Sequence, residues 1–135
     1  MIVDDSESLR SALRAFISGA TLPCLCVEAS TGEHAVALAE ARRPAIVVMD
    51  IELPGMNGIE ATRKIKTALP DTQVVMVSML EAARFQTEAA RAGATAYLAK
   101  PVIHRELIPL LTSLLERNGT RTMASPEPQP ARSDA

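Results

Sequence analysis

The chain has 135 residues, 47% of them apolar, which is enough for one domain with its own core and too little for two ordinary ones. Its 14 Lys and Arg against 16 Asp and Glu leave a formal charge of -2, and no Lys/Arg cluster offers the electrostatic footprint of nucleic-acid binding, so direct DNA binding is not expected. No apolar run approaches the roughly 20 residues that span a bilayer, and the acidic pair Asp4 and Asp5 stands where a signal peptide would be basic, so a cytoplasmic protein without membrane contact is expected.

Apolar runs of strand length alternate with segments of helical period, the pattern of an α/β fold whose parallel sheet is covered on both faces. The first run, residues 1–4, is short and ends on Asp4 and Asp5. Leu9, Leu13, Phe16 and Ile17 then share one helical face. A second strand is expected over residues 24–28, with Cys24 and Cys26 on one face, where buried thiols acting as small hydrophobes fit better than a metal or redox pair. Ser30 and Glu33 have the spacing of a capping box for a helix carrying Val36, Leu38 and Ala39.

The third strand, residues 45–50, ends on Asp50. Asn57 and Glu60 mark the start of a third helix that turns Ala61, Ile65, Ala68 and Leu69 inward and stops at Pro70 and Asp71. A fourth strand, residues 73–78, ends on Ser78, and the helix after it, residues 82–92 before Gly93, is mostly Ala on its apolar side and is expected to be the least firmly anchored. The fifth strand, residues 95–99, leads to Lys100. The last helix, about residues 105–117, presents Leu107, Leu111, Leu114 and Leu115, admits Pro109 only near its first turn or at a kink, and stops at Gly119. Residues 1–119 therefore read as one domain. Residues 120–135, with Pro126, Pro128 and Pro130, read as a linker or disordered tail.

In open parallel sheets ligands bind outside the carboxyl ends of the strands, so polar residues that terminate apolar runs are the candidates for chemistry. Asp4 and Asp5, Asp50, Ser78 and Lys100 all stand at such ends. Crowded acids repel one another unless a cation neutralises them, and a small all-oxygen cluster suits Mg2+, which commonly shares its coordination between carboxylates and a phosphoryl oxygen. Phosphoryl transfer with Asp50 as acceptor is the chemistry expected, with Lys100 and Ser78 holding the remaining phosphoryl oxygens. Each residue alone has a plainer reading as a turn, a cap or a solvated charge. Their joint placement at successive strand ends outweighs it. His34 and His104 have no partners at ligand spacing and are read as surface or satisfied histidines.

The sequence resembles the receiver domain of bacterial response regulators, CheY-like in type, over nearly all of residues 1–119. The resemblance is carried by Val3, Asp4, Asp5 and Ser6, by Met49 and Asp50 followed by Pro54, Gly55 and Gly58, by Ser78, by Gly93, and by Tyr97, Lys100 and Pro101. It implies a flavodoxin-like (βα)5 doubly wound sheet of strand order 2-1-3-4-5. It also implies phosphorylation of Asp50 by a sensor histidine kinase or phosphotransfer protein, direct metal contacts from Asp5 and Asp50, and one through water from Asp4. Glu52 would give a backbone carbonyl to the metal, Ser78 and Lys100 would bind the phosphoryl group, and Ser78 and Tyr97 would form a switch. The bond before Pro101 would be cis. Signalling would pass through the face built from the fourth helix, fifth strand and fifth helix to a downstream protein or a fused output domain, with a phosphorylation-dependent homodimer also allowed.

Met79 resembles the receivers of the NarL/LuxR-type subgroup, which precede a helix-turn-helix, so the chain reads either as a stand-alone receiver or as the receiver part of a longer transcription factor. Glu52 and Leu80 occupy positions that tune phosphoryl lifetime in the family. Such a domain is not an enzyme beyond catalysing its own phosphorylation and dephosphorylation. A haloacid-dehalogenase phosphatase would need a second Asp two positions after the nucleophile, where Glu52 stands. A phosphorylation-independent interaction module would not need every site position filled with a workable residue.

Overall fold

The computed structural model describes residues 1–20, 22, 24–79 and 83–124. In chain order it contains β1 (Ile2–Val3), α1 (Glu7–Gly19), β2 (Glu28–Ala29), α2 (Gly32–Arg42), β3 (Ile46–Asp50), α3 (Gly58–Ala68), β4 (Gln73–Ser78), α4 (Ala83–Ala92), β5 (Ala96–Ala99) and α5 (Ile103–Ala124), with a 3-10 turn at Lys100–Val102. The strands form one parallel sheet of order β2-β1-β3-β4-β5. This is the flavodoxin-like arrangement expected, and the order reverses at β1 and β3, whose carboxyl ends flank the crevice where such sheets bind ligands.

Both faces of the sheet are covered, which is why its strands are apolar at consecutive positions instead of alternating. Val47, Met49, Val74 and Met76 pack with Ala35 and Ala39 of α2, Ala61 and Ile65 of α3, and Ala89 of α4. On the other face Ile2, Val48, Val75, Val77 and Leu98 meet Leu13 and Ile17 of α1 and Leu107, Leu111 and Leu114 of α5. Each of these long side chains contributes about 1.5–3 kcal/mol on leaving water. By that measure α5 is well held. The described part of α4 buries only Ala89 and Ala92, with Phe85 half-buried, so it is held more lightly.

Several local expectations are corrected. β2 is confined to Glu28 and Ala29 because β1 offers it only Ile2 and Val3 as partners. Residues 24–27 lie outside the strand, although the Val27 carbonyl accepts from the Ile2 amide at 2.8 Å; Cys24 is exposed, and Cys26 is half-buried, with burial pushing its thiol pKa up. Thr31, not Ser30, caps α2 by accepting from the His34 amide at 3.0 Å. Glu33 is not a capping-box partner, since its carboxylate accepts from the Met56 amide at 3.3 Å.

Phe16 is 42% exposed and Ala68 is exposed. Thr62 is fully buried on α3 instead, its hydroxyl donating to Met76 Sδ at 3.2 Å. The bond before Pro101 is not cis, for the described residues contain no cis peptide. Pro101 lies in the opening of the 3-10 turn, where its missing N–H leaves no bond unmade. The last helix starts at Ile103 and passes through both Pro109 and Gly119 to Ala124, so Gly119 is not its stop. A helical Gly costs only about 1 kcal/mol relative to Ala. Leu80, Ala82 and the proline-rich residues 125–130 lie outside the described residues.

Gly58 joins the scaffold to the chemistry. It opens α3 directly against the end of β3, donating its amide to Ile51 O at 2.9 Å, and a Cβ there would lie 2.0 Å from Asp50 O. No rotamer change relieves an overlap with backbone, so Gly58→Ala should cost about 3 kcal/mol by driving α3 away from β3. Urea unfolding with an unchanged midpoint in the variant would contradict this close approach.

Candidate functional site

The parallel sheet delivers the carboxyl ends of β1, β3, β4 and β5 to one edge, and with them the residues singled out in the sequence. Asp4 follows β1 and is 3% exposed; Asp50 ends β3 and is 2% exposed. Ser78 ends β4 and is fully buried, and Lys100 follows β5. Asp5 stands beside Asp4 but is exposed.

Lys100 Nζ lies 3.2 Å from Asp4 Oδ2 and 3.2 Å from Asp50 Oδ2, so one ammonium is shared by two buried carboxylates. The other oxygens are also engaged. Asp4 Oδ1 accepts from the Ser6 amide at 2.8 Å, and Asp50 Oδ1 accepts from the Glu52 amide at 3.1 Å. Ser78 Oγ donates to Glu52 Oε1 at 3.4 Å, which draws the exposed Glu52 side chain over the site. Tyr97 sits on β5 opposite Met76, half-buried against the core on the α4 side of the sheet.

Asp4, Asp5 and Asp50 can each bring a carboxylate oxygen within 4.8 Å of the others. Three carboxylates and one ammonium sum to a net charge of about -2 when all are ionised, which one divalent cation balances. An all-oxygen set of this kind fits a hard cation. Asp50 registers the crowding: burial and then the neighbouring Asp4 charge raise its pKa from 3.8 to about 6, against the opposing pull of the Glu52 amide and Lys100. Burial disfavours the Lys100 charge, but Asp50 and Asp4 outweigh it and hold its pKa above the usual 10.5. The amine is therefore a permanent positive charge at neutral pH.

A polar side chain outside the expected set, Arg10, touches this edge, and Glu28 with Arg14 stands behind it. Arg10 of α1 donates from Nη1 to Asp4 O at 2.6 Å and from Nε to Glu28 Oε1 at 3.0 Å, and Arg14 pairs with the other Glu28 oxygen. The signal in the sequence was an acid, Glu28, closing the second apolar run. It has meaning only once α1 is known to pass in front of β2.

The fold and this edge define an acidic site at the carboxyl ends of a doubly wound parallel sheet. Residues 1–112 match the response regulator receiver domain, and the chain belongs to that family. It is 35% identical over 107 residues to the transcriptional regulatory protein YxjL of Bacillus subtilis, covering 79% of this chain and 49% of that protein. With the response regulator GacA of Pseudomonas aeruginosa it shares 32% over 108 residues, 80% of this chain and 50% of the other. The chain thus spans about half the length of these curated relatives. The crystal structure of a LuxR-family two-component response regulator from an Aurantimonas species superposes with a TM-score of 0.79 at 33% identity, over 86% of this chain and 83% of the other. Among the described residues no helix is long and apolar enough to cross a membrane.

The raised pKa of Asp50 has a consequence for stability. Between about pH 4 and pH 6 the folded chain holds a proton that the unfolded chain has released, so stability falls as pH rises through that window and is level above it. Asp50→Asn, which cannot ionise, should be more stable than the parent by about 2–3 kcal/mol near neutral pH in metal-free buffer, with the gain vanishing below about pH 4. Denaturant unfolding across pH checks this, and parallel pH profiles for the two proteins would refute it.

Proposed function

We propose that the chain is a Mg2+-dependent phospho-acceptor switch that takes a phosphoryl group from a sensor histidine kinase or phosphotransfer protein onto Asp50 and signals through the face built from α4, β5 and α5. The observation that carries this reading is the burial of the Asp50 carboxylate at a strand end, between the Lys100 ammonium and the acids Asp4 and Asp5. With a pKa of about 6, Asp50 is ionised at neutral pH and available as a nucleophile. One of its oxygens attacks phosphorus as the P–N bond to the donor histidine breaks. The departing imidazole nitrogen takes a proton from solvent, and an acyl phosphate forms on Asp50.

Lys100 already faces Asp50 Oδ2 and is placed to meet the charge gathering on the phosphoryl oxygens. Asp4, Asp5 and Asp50, with the Glu52 carbonyl, would hold Mg2+, which would supply positive charge to offset the carboxylates and the incoming phosphoryl group. The Ser78 hydroxyl, which donates to Glu52, would exchange that carboxylate for a phosphoryl oxygen.

A phosphoryl group adds roughly -1.5 to -2 charge and three acceptor oxygens. Drawing Ser78 toward them frees space on the side of the sheet where Tyr97 is half-buried and α4 is only lightly anchored. Tyr97 then turns inward and α4 shifts at small cost in apolar area. The altered face would act on a fused output domain or a separate protein, or pair with a second phosphorylated copy.

Two experiments test this reading. Acetyl phosphate should add one phosphoryl group to the parent only when Mg2+ is present, and none to Asp50→Asn; a mass shift that survives the substitution would move the acceptor elsewhere. Beryllofluoride with Mg2+ should perturb the amide signals of α4 and Tyr97 as well as those around Asp50. Perturbation confined to the strand ends would remove the switch and leave only the acceptor.

A further inference from the structure

The acid pair after β1 is held unequally. Every polar group of Asp4 has a partner: its amide donates to Ala29 O at 3.2 Å, its Oδ1 takes the Ser6 amide, its Oδ2 meets Lys100, and its carbonyl takes Arg10 Nη1. No hydrogen bond within the described residues holds the exposed carboxylate of Asp5. The backbone that carries it fixes the direction of its Cα–Cβ bond, and the side-chain rotamers stay free. The peptide joining Asp4 to Asp5 contains the carbonyl that Arg10 grips at 2.6 Å. Arg10 is in turn braced by Glu28 on β2 and is only 15% exposed, while Arg14, paired with the same carboxylate, is 53% exposed and does not touch the acid pair.

We propose that Arg10, braced by Glu28, is a positioning residue that aims Asp5 into the carboxylate cluster and thereby sets the affinity of the site for a divalent cation. The inference rests on the Mg2+ reading above. A backbone held in place before binding leaves only the Asp5 side-chain rotamers to be ordered when the cation arrives, and support of this kind around a metal site typically governs affinity by about 10- to 100-fold. The guanidinium fork is what allows one side chain to hold the Asp4 carbonyl and the Glu28 carboxylate together; a Lys ammonium in its place is a point charge on a flexible stem.

Charge alone predicts the opposite sign. Removing a positive group beside a cation site should strengthen cation binding, so a loss of affinity in Arg10→Gln identifies positioning. The double variant Arg10→Gln with Glu28→Gln removes one charge of each sign and leaves the pair's net charge unchanged.

The test is calorimetric titration of the whole chain with Mg2+ alone, with urea unfolding to confirm that each protein is folded. The double variant is expected to bind Mg2+ about tenfold more weakly than the parent. Arg10→Lys should fall between the two, and Arg14→Gln should stay near the parent. Parent-like affinity in the folded double variant overturns the proposal. If the double variant does not fold, Arg10→Lys decides, and parent-like affinity there has the same force. A parent chain that binds no Mg2+ would overturn the Mg2+ reading and this inference with it, a result distinct from an effect missing only in the variants.

Discussion

Asp4 and Asp50 are two buried carboxylates that share a single ammonium, and much of the molecule is arranged around that imbalance. Carboxylates at the carboxyl ends of adjacent strands cannot move apart, because the β1–β3 ladder that carries them is also the middle of the sheet. With Asp5 beside them the site holds more negative charge than Lys100 neutralises. Burial first, and then the neighbouring Asp4 charge, push the Asp50 pKa upward, so the ionised carboxylate carries a cost in the fold itself. A fold that carries such a cost is poised to accept positive charge.

The surrounding contacts keep this edge from relaxing. Gly58 lets α3 approach the Asp50 carbonyl more closely than any side chain would permit, and the Ile51 amide donates to Val77 O at 3.1 Å, tying the loop after β3 to β4. Glu33 reaches from α2 to the Met56 amide in the same loop. Arg10 and Glu28 do the equivalent on the β1 side. The Asp50 edge is thus bordered by close attachments, whereas the described part of α4 is more lightly packed.

Much of this was legible in the residues themselves. Strand-length apolar runs ending on Asp4, Asp50, Ser78 and Lys100 define a βα series with a polar edge, because a strand buried on both faces has nowhere but its end to place a polar side chain. The parallel sheet, the cap at Asn57, the inward positions Ala61, Ile65, Leu107, Leu111 and Leu114, and the convergence of Asp4, Asp5 and Asp50 all follow from local period and spacing. The strand order itself was expected only through resemblance to receiver domains.

Tertiary structure alone decided what depends on partners distant in the chain. Whether Phe16 or Ala68 is covered depends on how far a neighbouring element extends, which helical period does not encode. The length of β2 was set by how much of β1 could pair with it, and the choice of Thr31 over Ser30 as cap by where α2 begins after that short strand. Glu33 spends its carboxylate on a loop 23 positions away, and Arg10 reaches a carboxylate 18 positions on. A single sequence shows the charge of each such residue. The choice among its possible acceptors is made by burial and geometry, which exist only after the sheet has formed.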